Sequence, residues 1–515
     1  MSEKFVLAAD FGTSSVKVAV VTGGLNIVAS VSEHYPLSLP ATDQAEQNPD
    51  DWWAALCRAT AKLSERVPGL KDKTDTLVIC AQMCGVICID EAHKVLRPCI
   101  VCVDKRSAGI SRALIGGFPS FEGYRLDKLA TWLRLASGAP GKNGMDPPAK
   151  MLWIKSHEPE IYAKTSKFLD VKDWLILKAT GAVTMTGDSA NLTWLMDTRP
   201  GREGWSDKLI RQAGLDASKL PTIVDGGDVV GHLTPLAAAD LGLKTTTKML
   251  GGGSDVSLSA IGAGLVDDGD LMICASTSSW ISGFFNRRIV NVVDSYATIA
   301  SATGFRPLLV ATQECAGSAA DWAAQTLSDT PHMPDEGYSA FYRDVGTPDA
   351  NDPFFLPWLA GEKVPVDDDR LRGAFYKLGL RHDKTAIKRA VLEGVALNIS
   401  WAYSRVIRQK ASNRSGPIPL VGGMAMYPTF VENLANSLNQ SVITGNPRFA
   451  GVLGAAALAA PVMGWAETVW DGAKICRSHL VNKVEPSPEK VEQSAARQSE
   501  LARVRKKLIE LYQKN

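Results

Sequence analysis

Apolar and polar positions change period several times along the chain, and each change marks an element. Residues 5–9 form a short apolar run that ends at Asp10. Gly12, Thr13, Ser14 and Ser15 make a polar turn. Val16, Val18 and Val20 then alternate with Lys17 and Ala19, and Gly23-Gly24 reverses the chain before a third run at 27–31. A period of two, punctuated this way, predicts a meander of three strands. Residues 270–284 repeat the pattern of strand, hydroxyl-rich turn (Thr277-Ser278-Ser279) and strand. Further strands are predicted at 76–81, 86–90 and 99–103, and before Asp255. Helical spacing predicts a helix over 51–67, capped by Asp50 and carrying Trp52, Trp53, Leu56 and Leu63. Others are predicted at 126–135, from Lys150 onward, at 256–261, and after Gly422-Gly423 with Phe430, Leu434 and Leu438 on one face. From about residue 486 the tail reads as a charged amphipathic helix running to 515.

The first turn carries one carboxylate, three hydroxyls and a glycine. Gly12 lets backbone approach a ligand closely, and turn N–H groups can cradle phosphate. Asp10 is a hard oxygen donor suited to Mg²⁺. One such turn is common decoration; two in one chain can clasp a polyphosphate from two sides. The strand–Gly422-Gly423–helix unit adds a third place where a ligand could lie on backbone. Asp255 follows Gly251-Gly252-Gly253-Ser254 at a strand end, where it can serve as a helix N-cap or as a general base. Asp104 and Arg106, also at a strand end, admit an ordinary surface ion pair or a ligand-binding pair.

Charge narrows the partners. Lys plus Arg number 56 and Asp plus Glu 55, a net charge of +1. No basic surplus points to nucleic acid or an anionic membrane. No signal-peptide pattern is evident and no apolar run reaches about 18 residues, so a soluble, cytoplasmic protein is expected. The 515 residues exceed one core, so two or three domains are expected. Cys80, Cys84, Cys88, Cys99 and Cys102 cluster, and Cys99-x-x-Cys102 has metal-ligand spacing. On a strand, however, residues three apart face opposite sides, so these read as buried thiols in a reducing compartment.

These motifs, in this order, resemble the FGGY carbohydrate kinases of the actin-like and Hsp70-like ATPase superfamily, from about residue 5 to about 460. Within that family the general likeness is to xylulokinase-like pentulose kinases. Glu46, Pro49 and Trp52 fit its E-x-x-P-x-x-W stretch. Gln82, Met83 and Gly85 fit Q-M-H-G, with Cys84 in place of His. Asp104 and Arg106 fit W-x-D-x-R, with Cys102 in place of Trp. Residues 150–153, 168–174, 180–181 and 186–190 fit the framework of the sugar cleft, and no chemistry is assigned to Asp188. Ser276-Thr277-Ser278-Ser279 stands for G-T-S-G, both flanking glycines being replaced. Residues 315–322 resemble a helix start near the nucleotide, and 355–365 fit L-P-y-L-x-G-E-R-x-P, with Lys363 for Arg. Met424 replaces a third glycine after Gly422-Gly423, and Asn436 stands where the family usually has Asp.

The resemblance implies an α/β fold of two actin-like (ribonuclease H-like) domains with an interdomain cleft, divided as 1–250, 251–483 and a helical tail at 484–515. It implies an ATP-dependent kinase of a small sugar, most readily a pentulose such as xylulose, using Mg²⁺ held near Asp10. Gly12, Thr13, Ser14, Lys17, Thr277, Ser278, Gly422, Gly423 and Asn436 would bind ATP. Gln82, Met83, Cys84, Asp104, Arg106 and Asp255 would bind the sugar, with Asp255 as base. A glycerol or other polyol kinase, or a nucleotide-binding regulator on the same fold, is the alternative. No nucleic-acid or membrane partner is expected, and the oligomeric state is left open, a homodimer included.

Overall fold

A computed structural model describes residues 4–328, 340–343, 345–408, 412 and 416–514. The N-terminal meander forms as its alternation predicts: strands Phe5–Phe11, Ser15–Thr22 and Asn26–His34 pair antiparallel. Thr74–Ala81 joins the open side of Phe5–Phe11 in parallel. Val229–His232 and Lys248–Leu250 extend that side, and Gly253–Ser254 pairs with the end of Thr74–Ala81. The expected division at 250 thus falls just ahead of a strand that still belongs to the first sheet.

The second sheet, of eight strands, uses the same plan. Met272–Ala275 and Ser279–Phe284 pair antiparallel around the second hydroxyl turn, Pro307–Gln313 continues the antiparallel side, and Ile418–Val421 lies parallel to Met272–Ala275. Each sheet therefore delivers a hydroxyl turn at the C-terminal end of a central strand, next to a parallel neighbour. The strands flanking both turns are buried, as near-continuous apolar runs require.

Helices Asp255–Gly262 and Ala450–Ala459 cross between the two turns. The crossing is close because the contact residues are glycines. A Cβ on Gly454 would fall well inside van der Waals distance of the Leu258 carbonyl, and one on Gly262 would do the same at Ala450. The tail helix Pro488–Lys514 packs on Lys384–Val406 and Pro428–Leu438, anchored by a buried Arg497–Glu393 ion pair at 2.5 Å; Asn515 lies outside the described residues.

Several local expectations shift. The first long helix is Pro49–Arg66, and Asn48 rather than Asp50 supplies the capping oxygen, because Pro49 already occupies the first helical position. The helix expected from Lys150 begins at Pro147 for the same reason. The strand expected at 99–103 is only Cys99–Ile100, so Cys102 sits in the turn beyond it. All nine cysteines are free thiols, with Cys80, Cys88 and Cys99 buried.

If the glycine crossing sets how the halves meet, Gly454→Val should lower stability by ~3 kcal/mol or more, measured by urea denaturation. A loss below ~1 kcal/mol would show that the helices can separate without penalty.

Candidate active site

A cavity of about 300 Å³ opens between the two sheets. Of the residues singled out from sequence, Asp10, Gly12, Lys17, Thr277, Gly422, Gly423 and Asp255 line it. Asp10 and Lys17 are register partners on adjacent strands, so their side chains leave the same face side by side. Thr13, Ser14 and Ser278 occupy the same two turns but lie outside the lining.

The two turns share one hydrogen-bonding logic. In the first, every carbonyl is turned into the protein. Tyr35 donates its hydroxyl to Gly12 and Ser15, its N–H donates to Ser14 O, and Gln47 Nε2 donates to Thr13 O at 2.8 Å. In the second, Gly317 N donates to Ser276 O, and Ala316 N and Ser318 N both donate to Thr277 O. Among the described residues, the N–H groups of Thr13, Ser14, Thr277 and Ser278 have no protein acceptor. Carbonyls held inward and N–H groups left over make an anion cradle. The third unit closes on the second turn: Gly422 has φ +95°, and a Cβ there would strike the Ala275 carbonyl. Only glycine fits that approach.

Asp255 is the first residue of helix Asp255–Gly262, and the cap is Ser254, whose hydroxyl accepts from Ser257 N. The N-cap alternative for Asp255 is thereby removed. Among the described residues its carboxylate accepts only the Val256 N–H, at 2.8 Å, and it lines the cavity. Burial, then the nearby charge of Asp10, pushes its pKa up to about 7, against the Val256 hydrogen bond. A carboxylate titrating there is suited to accept a proton near neutral pH.

Gln82, Met83, Cys84, Asp104 and Arg106, expected on the sugar side, lie outside the lining of this cavity. Gln82 is buried and donates Nε2 to Gln47 Oε1, while its own Oε1 faces the Cys102 thiol at 3.6 Å. Met83 packs into the core beside Cys84, which has φ +65°. Asp104 and Arg106 are no surface pair. The Asp104 carboxylate accepts Ala45 N and bonds Arg106, and the Arg106 guanidinium also bonds Glu46 at 2.8 Å and stacks over Trp153 at 4.9 Å. Asn436 stands apart from the cavity: its amide oxygen accepts Ser487 N at the start of the tail helix.

Sequence reasoning passed over three buried groups here. Lys150 Nζ donates to the Cys84 and Val101 carbonyls at 2.8 Å each, tying two sugar-side loops. Asp170 accepts Gly85 N, and burial with the Asp173 charge raises its pKa to about 6. Asp188 accepts Ser254 N at 2.7 Å, directly beside Asp255. Their long-range partners carry no local signal.

Residues 5–262 match the N-terminal domain and residues 297–463 the C-terminal domain of the FGGY family of carbohydrate kinases. The chain belongs to this family. It is similar to a xylulose kinase of Escherichia coli (strain K12), 30% identical over 437 residues covering 84% of each chain. A xylulose kinase of Bacillus subtilis is 29% identical, covering 92% of this chain and 91% of its own. The fold matches that of a gluconate kinase from Lactobacillus acidophilus, at 24% identity, TM-score 0.85 and 100% coverage of both chains. The chain is thus a sugar kinase, a phosphotransferase to an alcohol acceptor with ATP as donor. The regulator alternative gives way to this. Among the described residues, no helix is long and apolar enough to cross a membrane.

The raised pKa of Asp255 has a stability consequence. Its folded value lies above the unfolded one near 3.8, so ionising it disfavours the fold progressively as pH rises from there past about 7. Asp255→Asn should therefore raise the thermal midpoint more at about pH 8 than at about pH 5. An equal or larger gain at the lower pH, read by calorimetry, would contradict this environment for the carboxylate.

Proposed function

We propose that this FGGY kinase transfers the γ-phosphoryl group of ATP to a primary hydroxyl of a ketopentose, xylulose being the first candidate, with Asp255 as general base. The observation that supports the reading is that Asp255 lines one cavity with residues of both turns, Gly12 and Ser15 of the first and Ser276 and Thr277 of the second. The xylulose kinases named above support the choice of sugar.

The polyphosphate lies between the turn at Gly12–Ser14 and the turn at Thr277–Ser278, with Lys17 adding positive charge and Gly422-Gly423 giving adenosine a flat backbone surface. The sugar hydroxyl faces Asp255, which accepts its proton as the oxygen bonds to the γ-phosphorus and ADP leaves. Among the described residues, no three His, Cys, Asp or Glu side chains converge as a metal cage. That donor set fits Mg²⁺, which binds through one or two carboxylates plus substrate phosphates and water. Asp10 would hold the ion, directly or through water, and bound there it would offset phosphate charge.

Cys84 and Cys102 distinguish the expected sugar side from the pattern with His and Trp, and thiols are weaker hydrogen-bonding groups than an imidazole. Xylulose should accordingly bind more weakly than a ketopentose pocket with the imidazole would allow.

Two measurements test the reading. Purified protein with Mg²⁺ and ATP should release ADP faster on adding xylulose than on adding glycerol or gluconate; no stimulation by any ketopentose would overturn the substrate assignment. Asp255→Asn should lower kcat by roughly 10²–10⁴-fold while nucleotide affinity changes little. Retained turnover would remove Asp255 as base.

A further inference from the structure

Residues 186–190 carry no assigned chemistry, yet their side chains reach both sides of the site. Ser189 is buried, and each of its two donors meets a different carboxylate. Its Oγ–H donates to Asp170 Oδ2 at 3.0 Å, and its N–H donates to Asp188 Oδ1 at 2.9 Å. Each carboxylate in turn uses its other oxygen to hold backbone of a different loop. Asp170 Oδ1 accepts Gly85 N at 2.9 Å, the residue after Gln82-Met83-Cys84. Asp188 Oδ2 accepts Ser254 N at 2.7 Å, the residue before Asp255. The path Gly85–Asp170–Ser189–Asp188–Ser254 is buried throughout.

We propose that Ser189, through Asp170 and Asp188, is a positioning residue that holds the sugar-side loop and the catalytic aspartate in one fixed relation. The physical grounds are threefold. Hydrogen bonds to carboxylates are shorter and stronger than neutral ones. A buried acceptor that loses its donor has no water to replace it, so the chain resists opening. Supporting bonds also fix cleft geometry, and small misplacements of a reacting group are kinetically large. Lys172, buried and paired with Asp173, lies beside this group. Thr186 Oγ1 donates to Asp188 Oδ1 as well, which leaves Ser189 as the link whose removal separates the two loops.

The test is Ser189→Ala in the full chain, which deletes the Oγ–H bond and leaves the Ser189 N–H on Asp188. Amide hydrogen exchange should accelerate by roughly fivefold or more at both Gly85 and Ser254. Acceleration at Gly85 with Ser254 unchanged would show two independent anchors and overturn the proposal. In steady state with xylulose and Mg·ATP, kcat should fall about tenfold and the sugar KM should rise, while ADP affinity measured without sugar stays constant. ADP affinity falling in step with kcat would mark general loosening and also overturn it. Ser189→Thr keeps the hydroxyl and should restore exchange protection and rate. If Ser189→Ala does not fold, Asp170→Asn carries the same exchange measurement. The kinetic arm rests on Asp255 as base. The exchange arm needs no turnover, so a failure of the base assignment and a failure of the bridge are separable.

Discussion

The close crossing of helices Asp255–Gly262 and Ala450–Ala459 is the constraint on which the site depends. The first helix begins with Asp255, and the second begins beside Asp10: a Cβ on Gly451 would press on the Asp10 carboxylate. Gly262 and Gly454 let the two backbones touch, so the crossing fixes the Asp10 and Asp255 carboxylates relative to each other. Side chains at those glycines would separate the helices and widen the space between the two carboxylates. The sheets contribute the other coordinate. Each ends a central strand in a turn whose carbonyls are occupied from behind, by Tyr35 and Gln47 on one side and by the start of helix Gly317–Leu327 on the other.

This arrangement divides labour by chemistry. In the proposed mechanism backbone N–H groups and the Lys17 side chain provide positive potential for the donor phosphates. On the proposed mechanism Asp255 accepts the proton, its pKa lifted to about 7 by burial and by Asp10. The groups proposed to meet the acceptor are held by buried side chains: Gln82 by Gln47, Arg106 by Asp104 and Glu46, and the backbone carbonyl of Cys84 by Lys150.

The elements of the site were legible where a local pattern determines them. The alternation in 5–31 and the turn chemistry at Gly12–Ser15 predict the meander and its anion cradle without tertiary information. Caps were misplaced by a residue or two, since Asn48 and Asp50, or Ser254 and Asp255, offer similar oxygens and only backbone geometry chooses between them. Roles that depend on distant partners were not legible. Sequence alone left Arg106 open between a surface ion pair and a ligand-binding residue, and Glu46 and Trp153, which bury it, are distant along the chain. Asn436 reads as a nucleotide ligand until the tail helix reaches its amide. Asp170, Ser189 and Asp188 are bland in sequence because their meaning lies in Gly85 and Ser254, which are far away along the chain.

The most direct test of the account is a crystal structure with a non-hydrolysable ATP analogue, Mg²⁺ and xylulose bound together. The terminal phosphate should lie between the turns at Thr13–Ser14 and Thr277–Ser278, accepting from their N–H groups. One primary hydroxyl of the sugar should lie within hydrogen-bonding distance of Asp255. A terminal phosphate bound away from both turns, or a sugar with no hydroxyl near Asp255, would contradict it.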